Sequence, residues 1–163
     1  MTKTNKDLLP PFIESSIQGI IIFKNGKNKY ANPKSIEILG YSIEEISGFE
    51  LAFLINKIYP QDIERIKHIL ELHKSDLDFE EMIECRFETQ SGLVKWLKVL
   101  VKSLVFKGER YLIQNIEDIT DQKIYEAKLI ENEKRYKNFI EQTSEGISYL
   151  AFKEPLDINC TKE

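Results

Sequence analysis

Few residues in this chain have both the type and the spacing for chemistry. Two cysteines, Cys85 and Cys160, stand far apart with no Cys-x-x-Cys pair and no histidine-rich neighbour. That pattern argues against a structural zinc site and suits a reducing, cytoplasmic setting. The two histidines share one stretch, "IKHILELH", as His68 and His73. Neither is followed directly by the acidic residue of a phospho-accepting histidine motif. Paired acids at Glu44/Glu45 and Glu80/Glu81 fall on surface-type segments and read as solvation. The chain holds no HExxH, no GxGxxG, no phosphate-binding glycine loop and no Ser-His-Asp candidate set. On these grounds it is expected not to be an enzyme.

The elements around these residues follow from pattern. Leu8 to Ile17 reads as a short helix ended by Gly19, and Ile20–Phe23 as a buried strand. Asn25-Gly26 is a hairpin turn leading to a second strand over 28–31. Asn32 with Pro33 opens one small helix that Gly40 closes, and Ser42 with Glu45 forms a capping box for the next, closed by Gly48. Residues 49–59 form a loop or short helix. "PQDIERIKHILELHK" is amphipathic, with Ile63, Ile66, Ile69/Leu70 and His73 on its apolar stripe. After residue 78 the period becomes two. Ile83, Cys85 and Phe87, then Leu97, Val99 and Val101, face inward; Glu84, Arg86, Lys98 and Lys102 face out. On a third strand, 110–117, Leu112/Ile116 compete with Tyr111/Ile113 for the inner face. The expected class is α+β: a five-stranded antiparallel sheet, short helices on one face, and flanking N- and C-terminal helices.

From Thr120 the pattern is helical and strongly charged. Tyr125, Leu129, Asn132, Tyr136 and Phe139 recur at spacings of 4 and 3, a short two-helix seam. The alternative is one amphipathic helix folding back on its own domain. Together with Leu9, Phe12 and Ile13 of the N-terminal helix, these apolar positions predict a homodimer. The net charge is 23 − 27 = −4 and no basic block stands out, which gives no support to a nucleic-acid partner. Apolar runs such as Ile20–Phe23 are far too short to span a membrane, and the N-terminus lacks the apolar core of a signal peptide.

Four segments, in order, resemble the PAS family of sensory modules: "YANPKSIEILGYSIEEISG", "IYPQDIERI", "SGLVKW" and "IEDITDQK", the last being similar to the terminal PAC-type signature. The resemblance covers residues 8–122, after a tail of residues 1–7. It implies a signal-input and dimerisation module of a two-component system, a histidine kinase or related regulator whose output domain lies outside this chain. It implies a pocket between the inner sheet face and the helices, with candidates Ile83, Cys85, Phe87, Leu97, Val99, Val101, Leu112, Gln114 and Ile116. A plain apolar core is the competing reading of the same residues. The ligand is left open. Haem would need His73 as its ligand, and the cysteine-bearing helix of the flavin-binding branch is absent. By the same resemblance, Asp118 and Thr120 mark where a signal leaves the sheet for the helix. Thr120 or Asp121 can cap that helix, and Asp118 can pair with a nearby cation. Finally, "FIESSIQGIIIF" (12–23) recurs as "FIEQTSEGISYL" (139–150), 127 residues on. The resemblance makes 123–143 a coiled-coil linker and 144–163 the truncated start of a second PAS domain. Chance similarity between two helix-to-strand turns is the alternative.

Overall fold

A computed structural model describes residues 11–74 and 78–151 of the 163-residue chain. The elements run α1 (Pro11–Glu14), β1 (Gly19–Lys24), β2 (Lys27–Ala31), α2 (Pro33–Leu39), α3 (Ile43–Ser47), α4 (Leu51–Ile55), a 3-10 turn (Pro60–Asp62), α5 (Ile63–Lys74), β3 (Phe79–Glu88), β4 (Val94–Phe106), β5 (Glu109–Asp118) and α6 (Thr120–Ala151). The strands form one antiparallel sheet in the order β2-β1-β5-β4-β3. The chain divides into a compact unit ending at Asp121 and a second beginning at Gln122.

Turn chemistry sets the register. Asn25 and Gly26 both take positive φ, 52° and 73°, and so do Lys107 and Gly108 at 51° and 75°. Such turns twist with the strands they join. Asn32 caps α2 by accepting the Ser35 N–H, and the Ser42–Glu45 capping box opens α3. Asn32 does more than cap. Its Oδ1 also accepts the Ile20 N–H (2.8 Å), and its Nδ2 donates to the carbonyls of Ile13 (3.1 Å) and Gln18 (2.9 Å). The fully buried amide thus joins α1, β1 and α2.

Alternation sorts the faces as expected for Cys85, Phe87, Leu97, Val99 and Val101, all buried, and it resolves β5: Leu112 and Ile116 are buried, and Tyr111 and Ile113 are not. Four positions depart from expectation. Ile83 is only half-buried, because β3 is the edge strand. Glu84, Arg86 and Lys98 are partly covered rather than exposed; for Arg86 the cover is an ion pair with Asp62.

The helical ends also differ. Among the described residues α1 spans only four, ending at Glu14, and the Ser15 hydroxyl turns back onto the Pro11 carbonyl. Gly19 opens β1 rather than closing a helix. At the far end, α6 continues through Ala151, so residues 147–150 do not form the strand that the internal repeat suggested, and the linker does not stop at 143. A strand needs ladder partners. Ile20–Phe23 has β2 and β5 on its two sides, whereas the second copy has no strand beside it among the described residues. A lone glycine, Gly146, costs a helix only about 1 kcal/mol. Residues 152–163 of the expected second domain, and Cys160 with them, lie outside the described residues.

Candidate functional site

The inner sheet face and the helices above it enclose a cavity of about 60 Å³. All nine expected positions line it: Ile83, Cys85, Phe87, Leu97, Val99, Val101, Leu112, Gln114 and Ile116. The roof comes from Leu39 of α2, Leu51, Leu54 and Ile55 of α4, Ile58, and Ile66, Ile69 and Leu70 of α5. The α4 contribution was missed from sequence, although the run "LAFLI" carried the signal.

Only two lining side chains are polar in kind. Cys85 is 3% exposed, and burial, with the nearby Asp62 charge, pushes its thiol up to about 12. It stays protonated at neutral pH and acts as a small apolar group rather than a nucleophile. Gln114 is different. It sits on the central strand, paired across to Ile21 and Val101, which are 1% and 3% exposed. Its side-chain amide has no hydrogen-bond partner among the described residues. The residue itself is half-buried.

A site of this size holds a few heavy atoms at most, against the ~300–1,000 Å³ of an ordinary cofactor pocket. Haem and flavin do not fit it. His68 is exposed on α5 and does not line the cavity, and the His73 side chain lies outside the described residues. Among the described residues no group of three His, Cys, Asp or Glu is placed to hold a metal ion.

The second locus is the exit of β5. The Ile119 N–H donates to the Trp96 carbonyl (2.9 Å), and the Trp96 N–H donates to Thr120 Oγ1 (3.0 Å). The Thr120 hydroxyl in turn donates to Asp118, whose Oδ1 also accepts the Thr120 N–H (3.0 Å). Thr120 therefore does not cap α6 as expected. Asp118 takes the orphan N–H, and the hydroxyl bridges to β4. Asp118 does find its cation: Lys95 Nζ lies 3.0 Å away and donates as well to the Ile38 carbonyl of α2 (3.0 Å). Burial pushes the Asp118 carboxyl up, but hydrogen bonds from Thr120 and Lys95 outweigh it and hold the group below its usual range.

Beside this junction, Asp62 accepts the Arg86 N–H (2.9 Å), Nε (2.9 Å) and Nη2 (3.0 Å). These bonds hold the Asp62 carboxyl below its usual range despite burial. The guanidinium lies 5.0 Å over the Tyr59 ring and 5.3 Å over the Trp96 ring. Sequence reading missed Lys95, Asp62 and Arg86 as members of a site, because strand alternation marks such residues only as surface.

Of the expected dimer positions, Phe12 is 71% exposed and Ile13 is half-buried. On α6, Tyr125, Leu129, Tyr136 and Phe139 are each more than 60% exposed. Leu9 lies outside the described residues. No helix among the described residues is long and apolar enough to cross a membrane.

A family model described as "PAS domain" matches residues 17–121. No curated protein matches the chain. Solved structures do. The sensory box histidine kinase/response regulator from Burkholderia thailandensis E264 is 21% identical with a TM-score of 0.59, covering 82% of this chain and 98% of that one. The PAS domain of an HTR-like protein from Haloarcula marismortui is 20% identical with a TM-score of 0.56, covering 71% and 97%. The N-terminal domain of a diguanylate cyclase with PAS/PAC sensor from Marinobacter aquaeolei is 18% identical with a TM-score of 0.54, covering 65% and 98%. At these identities the likeness speaks for the fold.

Proposed function

The chain belongs to the PAS domain family, and we propose that it is a sensory input module that receives a change at its inner cavity and passes it through the β5–α6 junction to a kinase, cyclase or other regulator carried elsewhere. The observation behind this reading is the hydrogen-bonded run from Lys95 through Asp118 and Thr120 to Trp96. Val99 and Val101, two strand positions of the cavity wall, lie on the same strand as Lys95 and Trp96. A small displacement of β4 is therefore delivered to the first residue of α6. Fold likeness to domains described as parts of histidine kinases and a diguanylate cyclase agrees with a role in signalling.

The exposed seam of α6 suits self-association, and a coiled-coil linker is the form in which such a helix would carry a signal. The alternative, a cofactor-binding sensor holding haem or a small molecule with chemistry at the pocket, has less support: the cavity is small and Cys85 is neutral. An absorption spectrum of the purified protein tests that alternative directly. The junction itself is tested by spin labels at positions 98 and 132. Thr120→Ala, which removes the hydroxyl bridge and leaves the sheet intact, should broaden the distance distribution between them. An unchanged distribution takes the junction out of the mechanism.

A further inference from the structure

We propose that one end of the sheet, where the β1–β2 and β4–β5 turns lie side by side, is a docking surface for an anionic lipid bilayer, with Val105 and Phe106 entering among the headgroups and Lys27, Lys29 and Lys107 meeting their phosphates.

Strand pairing brings the two turns together. Lys24, the last residue of β1, faces Lys27 across its own hairpin and Tyr111 of β5 on its other side. Its ammonium reaches Glu109, the first residue of β5, in an ion pair. Charge at this end runs against the chain as a whole, which carries −4. Lys24, Lys27, Lys29, Lys107 and Arg110 stand there against Glu50, which bridges to Lys27 through the backbone, Asp78 and Glu109. Glu109 is engaged by Lys24 and Asp78 by Arg110. Lys27, Lys29 and Lys107 are exposed and form no ion pair among the described residues.

Apolar side chains share this end. Val105 and Phe106, the last two residues of β4, are 49% and 57% exposed immediately before the turn. Lys107 follows at a φ of 51°, a left-handed conformation natural to the Asn25 of the neighbouring turn and uncommon for lysine. The turn itself gives no reason for a lysine there. Lys107 Nζ lies 5.4 Å from the centre of the Phe106 ring. A ring beside a long-stemmed ammonium can enter the headgroup layer while the charge stays level with the phosphates. Lipid fits this surface better than an acidic protein does. Protein interfaces are depleted in lysine at their cores, whereas exposed lysines around a small apolar tip are what an anionic bilayer attracts. Docking of this kind needs no membrane-spanning helix.

The test is co-sedimentation of the full chain with vesicles of phosphatidylcholine containing about 30% phosphatidylserine, against phosphatidylcholine alone. The anionic vesicles should bind the protein, the neutral ones should bind at least about tenfold more weakly, and added salt should release it. Lys27→Glu with Lys29→Glu should weaken binding at least about tenfold. Phe106→Ser should weaken it about fivefold or more. Lys107→Asn, suited to the positive φ, should weaken binding while leaving the denaturation midpoint unchanged or higher, a combination that a purely structural role for Lys107 would not give. No sedimentation of the unmodified protein with anionic vesicles overturns the proposal, and that measurement does not depend on how any variant folds. Equal binding by the charge-reversed variant overturns it too. If polyglutamate displaces the protein from vesicles and Phe106→Ser changes neither interaction, the partner is an acidic chain and the assignment to lipid is overturned.

Discussion

Asn32 and Gln114 carry the same carboxamide, yet Asn32 uses every hydrogen-bonding position of its amide while the half-buried Gln114 uses none among the described residues. The first was readable in the sequence as a cap, though not as a hub, because its partners at residues 13, 18 and 20 are distant along the chain. The second was readable only as an inner-face position; that its amide lacks a partner depends on neighbours supplied by other strands. Charged residues show the same limit. Asp62 reads as part of a helix start, and its hold on Arg86 is a tertiary fact. Because Asp62 is held below the ordinary aspartate value of 3.8, the folded state binds fewer protons there than the unfolded chain. Its contribution is therefore present above about pH 4 and lost as pH falls through the lowered folded value. Asp62→Asn should cost about 1–3 kcal/mol at pH 7, and denaturant midpoints of the two proteins should converge in acid. A gap that stays constant from pH 7 to pH 2 would contradict this. Phe87 is 3% exposed at the cavity wall. Phe87→Ala should lower stability by about 3–5 kcal/mol in chemical denaturation; a loss below about 1 kcal/mol would mean that the site collapses around it.

At the scale of elements, turns, caps and strand alternation were legible because their causes are local: two φ values, one side-chain oxygen, a period of two. Element ends were less so. The α1 and α6 boundaries depend on what lies beside the chain, and the repeated Phe-Ile-Glu segment shows it. The same residue types precede a strand at 20–23 and continue a helix at 147–150. Gly19 is a case where contact, not turn geometry, demands glycine. A Cβ built there would lie 2.9 Å from the Ser35 Cα and 3.2 Å from its Cβ. The first neighbour is backbone, fixed by the Asn32 cap, so it has little room to yield. Gly19→Ala should therefore destabilise by about 1–3 kcal/mol through overpacking of α2 on β1, with enhanced amide exchange at Ile20 and Ser35. Wild-type stability in this variant would show that α2 can shift without losing its cap.

At the scale of the molecule, the architecture and the family were legible, since strand order and helix placement follow from pattern plus four ordered motifs. The assembly was not, because no single chain contains its own partner. If α6 self-associates through Leu129 and Phe139, light scattering of the full chain at high micromolar concentration should give twice the monomer mass. Leu129→Lys with Phe139→Lys should halve it while leaving the denaturation midpoint of the sheet within about 0.5 kcal/mol, as for exposed positions. A monomer at the outset would remove the seam from the mechanism. The strand order carries one more consequence. The β1–β2 hairpin and the β3–β4–β5 meander are each made of near neighbours, but they join through β1 and β5, where Ile21 meets Gln114 across 114 − 21 = 93 residues. Loop closure over that span is the slow, entropy-limited event of folding. A chain emerging from the ribosome has its hairpin early and must wait for its last strand before the two halves of the sheet meet. The central seam, which brings Gln114 beside Ile21, is then the last part of the sheet to form.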